Sequence, residues 1–173
     1  VHQLRDGIAR GQRRGIRRFI AYFQSYTNTY GPPGLLRDVY GVIRAFPEIV
    51  GLAVGTRPDC VDAGTVAVLS DFVSDYDVWL ELGLQSVHDE TLFRLGRGHD
   101  SAAFFRALAA VRSEPRIKVC AHVILGLPAE TAADEQRTAA CLAERGIEGV
   151  KIHPLYVARG TRLAEDFARG RYQ

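Results

Sequence analysis

Polar and charged side chains recur near the carboxyl ends of short apolar runs in this sequence. The set combines a carboxylate, imidazoles, cationic groups, amides and a phenol: Tyr22, Gln24, Arg57, Glu81, Gln85, His122, Lys151 and His153. Together they can bind a polar ligand, or they can transfer protons. The alternative interpretation is a group of polar side chains that pair with one another, because unpaired buried charge is costly.

The three cysteines do not form a recognisable cysteine motif. Cys60, Cys120 and Cys141 are far apart in the chain and lack C-x-x-C spacing. This pattern excludes a disulfide framework and a zinc ribbon, and it favours a reduced, cytosolic setting. We interpret Cys120 and Cys141 as structural. Cys60 follows the second predicted strand, in a loop at the active face, so both a structural and a functional thiol stay open there.

The composition is that of one soluble globular domain. Of 173 residues, 47% are hydrophobic and 24% charged, and the net charge is +2. This balance indicates no strong attraction to nucleic acid or membrane, and no apolar run is long enough for a transmembrane helix. Six arginines lie between Arg5 and Arg18. We expect a solvated helix face there, and a phosphate-binding patch for tRNA is the alternative.

The chain alternates predicted strands with predicted helices. The strands are short β-branched runs at 19–24, 49–55, 78–84, 117–125 and 149–155, and the helices lie at 1–15, 33–46, 65–72, 90–95, 101–111, 131–144 and after Thr161. The strands start roughly 28 to 40 residues apart, which is the length of a βα unit. The sequence therefore predicts an α/β fold with a parallel sheet and right-handed crossovers.

Alternation within the strands separates an apolar face from a polar one. In the third strand, Leu80 and Leu82 alternate with Glu81 and Gln85. In the fourth strand, His122 lies on the face opposite the main apolar residues. In the fifth strand, Lys151 and His153 share the face opposite the apolar residues. Since successive side chains point to opposite faces, one face should pack on helices and the other should line a polar lumen. Active sites in such folds lie at the carboxyl ends of the strands.

Four runs of this sequence resemble the radical S-adenosylmethionine (SAM) superfamily. They lie at 19–30, 55–60, 79–86 and 118–128, and Arg97-Gly-His-Asp100 and Lys151-Ile-His153 fit the same pattern. More narrowly, the ordered combination is similar to an uncharacterised bacterial group related to the Elongator catalytic subunit. The resemblance implies a partial (β/α)6 TIM-like barrel, of which residues 1–173 supply five parallel βα units, the second to the sixth.

The resemblance also implies SAM and a [4Fe-4S] cluster as cofactors. Family members reductively cleave SAM at the cluster to generate a 5′-deoxyadenosyl radical, with electrons from an external donor. The family's three cluster-binding cysteines belong to the first βα unit, which this chain lacks. We therefore expect an N-terminally truncated radical SAM core domain with no metal ligand of its own, and the sequence leaves its catalytic residues unknown. The substrate is unknown, with a tRNA base or a protein as candidates.

The resemblance assigns cofactor contacts to three regions. Gln24, Ser25 and Tyr26 would meet the amino group of SAM, although relatives carry a Gly-Gly-Glu-like stretch there and this chain lacks the acid. A polar loop with stacked tyrosines is the alternative. Glu81, Gln85 and Ser86 would hold the ribose or methionine moiety. The alternative for Glu81 is a salt bridge to Arg57 or Lys151.

The third region, with the same implied function, is the run that follows the fourth strand. Ile124, Gly126, Leu127 and Pro128 would pack on adenine, and the family often has glycine where this chain has Ala129. A plain strand-to-helix turn is the alternative.

The remaining candidates would contact cofactor or substrate. His122 is assigned to SAM, and the residues expected to face the substrate are Asn28, Arg57, Lys151 and His153. Two other functions stay open. One is a cluster-free barrel enzyme that uses Glu81, His122 and Lys151 as acid and base groups, and the other is a non-catalytic scaffold.

Overall fold

A computed structural model describes residues 1–172 of the chain. Within them, five parallel strands form one sheet in the sequential order β1-β2-β3-β4-β5. The strands are β1 (Phe19–Phe23), β2 (Ile49–Thr56), β3 (Asp77–Gln85), β4 (Ile117–Leu125) and β5 (Gly149–Pro154). The sheet curls into a half-barrel, which confirms the predicted α/β partial barrel. We call its concave inner face the lumen.

Helices connect the strands, as the alternating pattern predicts. They are α1 (His2–Gln12), α2 (Pro33–Gly41), α3 (Ala63–Ser70), α4 (Asp89–Arg94), α5 (Ser101–Val111), α6 (Ala132–Glu144) and α7 (Arg162–Ala168). The predicted helix at 33–46 changes to a 3-10 turn at Val42–Ala45. Within residues 1–172, none of these helices has the length and apolar character needed to cross a membrane.

The outer face of the sheet carries the core. Leu52, Leu80, Leu82 and Val119 are completely buried there. They alternate with the lumen residues along each strand, as period-two spacing requires. The helices of the βα units cover this face, so the polar groups are left on the opposite, concave side.

Side-chain caps fix where several of these helices begin. Thr131 and Asp134 form a reciprocal capping box at the start of α6, as the Thr-x-x-Asp spacing indicates. Asp62 and Asp100 accept hydrogen bonds from the backbone N–H groups of Thr65 and Ala103. These bonds satisfy N–H groups that have no partner inside the helix.

The expectation that every strand packs its apolar face on a helix is wrong for β5. Val150 is 47% exposed and Ile152 is 61% exposed. They line an apolar groove of about 390 Å³ together with Val123, Leu125 and Leu142. The helix after β5, α7, borders a different pocket beside Pro128 and Leu155. No helix within residues 1–172 therefore covers this outer groove.

Candidate functional site

Most of the predicted polar residues meet in one cavity of the lumen. This lumen cavity has a volume of about 560 Å³. Of the candidates from sequence, it is lined by Tyr22, Gln24, Ser25, Tyr26, Arg57, Glu81, Gln85, His122, Lys151 and His153. Thr27, Gly55, Thr56, Gly83 and Arg97 complete the lining. The alternation of residues along the strands brings lining residues together from all five parallel strands, and loop residues such as Arg57 and Arg97 join them.

A single carboxylate oxygen organises the floor of the lumen cavity. Glu81 Oε2 accepts hydrogen bonds from Tyr22 Oη at 2.7 Å, His122 Nε2 at 2.6 Å and Lys151 Nζ at 3.2 Å. Lys151 also donates to the Tyr22 hydroxyl at 3.2 Å. The predicted cross-barrel salt bridge therefore exists between Glu81 and Lys151, while Arg57 pairs elsewhere. These bonds link β1, β3, β4 and β5.

The pKa shifts in this group are set by burial and by the shared carboxylate. Burial raises the pKa of Glu81, but hydrogen bonds from Tyr22, His122 and Lys151 outweigh it and leave that pKa lowered. Burial lowers the pKa of His122, and the bond to Glu81 only partly opposes this. The pKa of Lys151 is raised, because its bonds to Tyr22 and Glu81 outweigh its own burial. An ionised Glu81, a neutral His122 and a charged Lys151 follow.

Arg97 is the cation in the lumen cavity that sequence analysis left without a function. Its Nη2 donates to the carbonyl of Gly83 at 3.2 Å, and its Nε is buried without a partner among the described residues. Burial and the neighbouring charge of Arg57 lower the pKa of Arg97. In contrast, Arg57 is neutralised by two hydrogen bonds to Asp59, at 2.9 and 2.7 Å. Arg97 therefore retains capacity to bind an anion.

The loop after β1 turns sharply at the mouth of the cavity. Ser25 and Tyr26 have φ values of 75° and 63°, in the region that non-glycine residues rarely adopt. The Asn28 amide secures this loop by donating to the Gly55 carbonyl at 2.8 Å and the Ser25 carbonyl at 3.2 Å. Tyr40 donates to the Asn28 carbonyl at 2.6 Å. Asn28 therefore shapes the loop rather than lining the cavity.

The end of β3 is bulged. Its register with β4 shifts between Gly83 and Gln85, and Gln85 has a φ of 72°. A bulge re-aims side chains at the end of a strand. Gln85 lines the lumen cavity, whereas the adjacent Ser86 is completely buried and donates to Glu130 Oε1 at 2.5 Å. Gln85 and Ser86, which the family resemblance assigned to the same part of SAM, therefore lie in different surroundings: Gln85 faces the cavity and Ser86 is buried.

The run after β4 lies away from the lumen cavity. Leu127 is 2% exposed and belongs to the core, and Pro128 borders the pocket beside α7. The Gly126 carbonyl accepts a hydrogen bond from the Tyr172 hydroxyl at 2.6 Å. Ile124 lines the outer groove. Contact between these residues and adenine remains a prediction. Their distance from the lumen cavity does not support it.

The cysteines do not form a cluster site. Cys60 lies in the 3-10 turn Pro58–Cys60, Cys120 in β4 and Cys141 in α6, and all three are free thiols. Among residues 1–172, no group of three His, Cys, Asp or Glu side chains is arranged to hold a metal ion. The residues present therefore do not fit a [4Fe-4S] cluster, although the lumen cavity offers a polar site for a small molecule.

A curled parallel sheet with a polar lumen defines a partial-barrel α/β protein. Residues 1–142 match the Radical SAM superfamily, and the chain belongs to it. The fold is similar to archaeal Methanocaldococcus infernus Elp3 lacking residues 1–46, with a TM-score of 0.77 and 20% identity over 99% of this chain and 45% of that one. It also resembles coproporphyrinogen III oxidase (HemN) of Escherichia coli, a radical SAM enzyme. That match has a TM-score of 0.66 and 17% identity over 88% of this chain and 34% of that one.

Proteins that are similar in sequence support the same family assignment. Protein YhcC of Escherichia coli is 43% identical over 90% of this chain and 50% of its own length. An uncharacterised protein of Methanocaldococcus jannaschii is 39% identical over 99% of this chain and 53% of its own. Mouse Elongator complex protein 3 is 30% identical over 75% of this chain and 24% of its own. The chain thus spans about half the length of the first two relatives, and the Elongator-like relationship predicted from sequence is confirmed.

Proposed function

We propose that this chain is the SAM-binding core of a radical SAM enzyme and that SAM binds in the lumen cavity. The observation that carries this proposal is Arg97, a guanidinium in the lumen with a buried Nε that lacks a partner. A group of this kind binds a carboxylate strongly through paired N–H donors. SAM presents such a carboxylate, together with an amino group and two ribose hydroxyls.

Different residues of the lumen cavity suit the different groups of SAM. Arg97 would bind the carboxylate, and the Gln85 amide beside it would add a donor. Glu81 uses Oε2 for its three bonds within the protein, so its other oxygen would accept from a ribose hydroxyl. Backbone carbonyls of the strained Ser25–Tyr26 turn would accept from the amino group. When bound, SAM supplies the radical chemistry for which the family is named.

The cluster ligands belong, in this proposal, to another segment of a longer protein. The described cysteines do not fit a cluster, and the first two relatives are about twice as long as this chain. Residues 1–173 would then be the second to sixth βα units of the barrel. An external electron donor and a hydrogen-donating substrate complete the reaction.

The electrostatics disfavour the cluster-free acid–base enzyme. Glu81 has a lowered pKa and three donors on one oxygen, so it is a weak base near neutral pH. The raised pKa of Lys151 keeps it protonated and unable to act as a base or nucleophile. His122 is neutral but donates its Nε2 proton to Glu81. The network therefore fits a rigid binding floor better than a proton-transfer site.

Isothermal titration calorimetry with SAM tests the proposal on the 173-residue chain. Wild type should bind, and Arg97→Ala should weaken binding roughly ten- to hundredfold, because it removes charge-assisted hydrogen bonds. Arg94→Ala is the matched control, since Arg94 lies on α4 and pairs with Glu90 at the surface. An absence of SAM binding, or equal losses in both variants, would contradict the proposal.

Anaerobic reconstitution with iron and sulfide tests the assignment of the cluster ligands. We expect iron counting and electron paramagnetic resonance to detect no complete [4Fe-4S] cluster on this chain. A full cluster would refute the assignment to a separate segment, whatever the SAM affinity.

A further inference from the structure

Gly83 lies on the lumen side of β3, between Glu81 and Gln85, and is buried. Its backbone does not have a positive φ, unlike that of Gln85 two residues later. Backbone conformation therefore does not require glycine at this position. Any requirement must come from the space that a side chain would occupy.

That space is filled by two cavity residues. A Cβ on residue 83 would lie 2.9 Å from Gln85 Nε2 and 3.0 Å from Arg97 Nη2. Such contacts are closer than packed side chains tolerate, so an added methyl group must displace one of them. Arg97 Nη2 also donates to the Gly83 carbonyl. The guanidinium thus rests against the bare backbone of Gly83, and the Gln85 amide lies over the same residue.

We propose that Gly83 is a positioning residue whose missing side chain lets the Arg97 guanidinium and the Gln85 amide converge into a subsite for an amino-acid carboxylate. A planar guanidinium beside an amide N–H₂ offers converging donors, which suit a carboxylate better than a hydroxyl. The inference rests on the proposed function and deepens it, because SAM carries a carboxylate of this class.

The position of Arg97 can be measured without any ligand. The ¹⁵N–¹H signal of the Arg97 Nε–H, assigned by its loss in Arg97→Lys, should be protected from exchange with solvent because the atom is buried. Gly83→Ala should shift this signal and speed its exchange. Gly149→Ala is the matched control: its Cβ would also crowd a lumen side chain, Trp79 at 3.1 Å, but away from Arg97. An unchanged Arg97 signal in Gly83→Ala would overturn the proposal.

Ligand selectivity separates positioning from general damage to the fold. Gly83→Ala should weaken SAM binding about tenfold, the equivalent of one hydrogen bond to a charged group. It should change the affinity for decarboxylated SAM less than about twofold, and add no further loss in an Arg97→Ala background. Equal losses for both ligands would overturn the proposal. If wild type binds no SAM, the proposed function fails, but the Arg97 signal still decides whether Gly83 positions the guanidinium.

A second variant covers the case in which Gly83→Ala does not fold. Arg97→Ala combined with Gly83→Ala removes the crowded guanidinium and should restore a cooperative unfolding transition. Continued misfolding of the double variant would show that a contact other than the one with Arg97 excludes the side chain. That result would also overturn the proposal.

Discussion

Replacing Glu81 by glutamine tests the network that ties four strands together. The substitution keeps the size of the side chain and one acceptor oxygen but removes the negative charge. Tyr22 and His122 would then donate to a neutral amide, and Lys151 would lose its counter-ion. Both the carboxylate and the imidazole are largely shielded, with side-chain exposures of 14% and 18%.

The magnitude follows from those three hydrogen bonds. A bond to a charged group contributes about 1.5–3 kcal/mol and a neutral one about 1 kcal/mol, so Tyr22 and His122 should each lose about 1 kcal/mol. The Lys151 side chain is 39% exposed, so solvent screening reduces its contribution to a few tenths of a kcal/mol. We expect Glu81→Gln to lower the free energy of unfolding by about 2 kcal/mol.

Urea unfolding followed by the fluorescence of Trp79, the sole tryptophan, measures this difference. The midpoint should fall with an unchanged m-value, because the surface exposed on unfolding stays the same. Glu90→Gln, which removes an exposed ion pair with Arg94, serves as the control and should leave the midpoint within error. Equal or greater stability of Glu81→Gln would refute the claim that this network stabilises the lumen.

Three further predictions concern other positions. Because burial lowers the pKa of His122 in the folded state, the unfolded chain binds more protons below about pH 6.5, and stability is lost as pH falls through that range. His122→Gln should make the slope of stability against pH between 7 and 5 shallower, and an unchanged slope would contradict this. Ala129 has a φ of 68°, so Ala129→Gly should raise the free energy of unfolding by about 0.5 kcal/mol in urea titrations, and a loss would contradict it. Thr131→Ala removes the cap of α6 and should cost about 1 kcal/mol in thermal unfolding, where no change would contradict the capping box.

The lumen could be predicted from sequence because strand periodicity is local. Glu81 and Lys151 lie 70 positions apart, yet each shares the parity of its strand's polar face. Parallel pairing then brings such positions to one side of the sheet. Strand parity thus predicted which side chains would meet but not that one oxygen of Glu81 would accept from three of them.

Arg97 was missed because no periodic pattern connects it to the lumen. It follows α4 in an irregular segment between Gly96 and Gly98, both of which have positive φ. The one signal in the sequence was the Arg97-Gly-His-Asp100 run, which fits the family pattern but had no function assigned to it. Its guanidinium enters the lumen only through tertiary packing against Gly83.

Two other expectations depended on information beyond local sequence. Ser86 follows Gln85 directly, but alternation and the bulge in β3 turn it into the core. Val150 and Ile152 are apolar in the manner of buried strand residues, yet burial requires a helix that residues 1–172 do not provide. Periodicity identifies an apolar face but cannot supply its partner.

Chemical-shift mapping with SAM tests the central claim most directly. A ¹⁵N-labelled chain is titrated with SAM, and the backbone amides and the Arg97 side chain are followed. We predict that shifts concentrate at Tyr22–Thr27, Gly83–Gln85 and Arg97, all around the lumen cavity. Shifts confined to the outer groove at Val150 and Ile152, or no shifts at saturating SAM, would contradict the account.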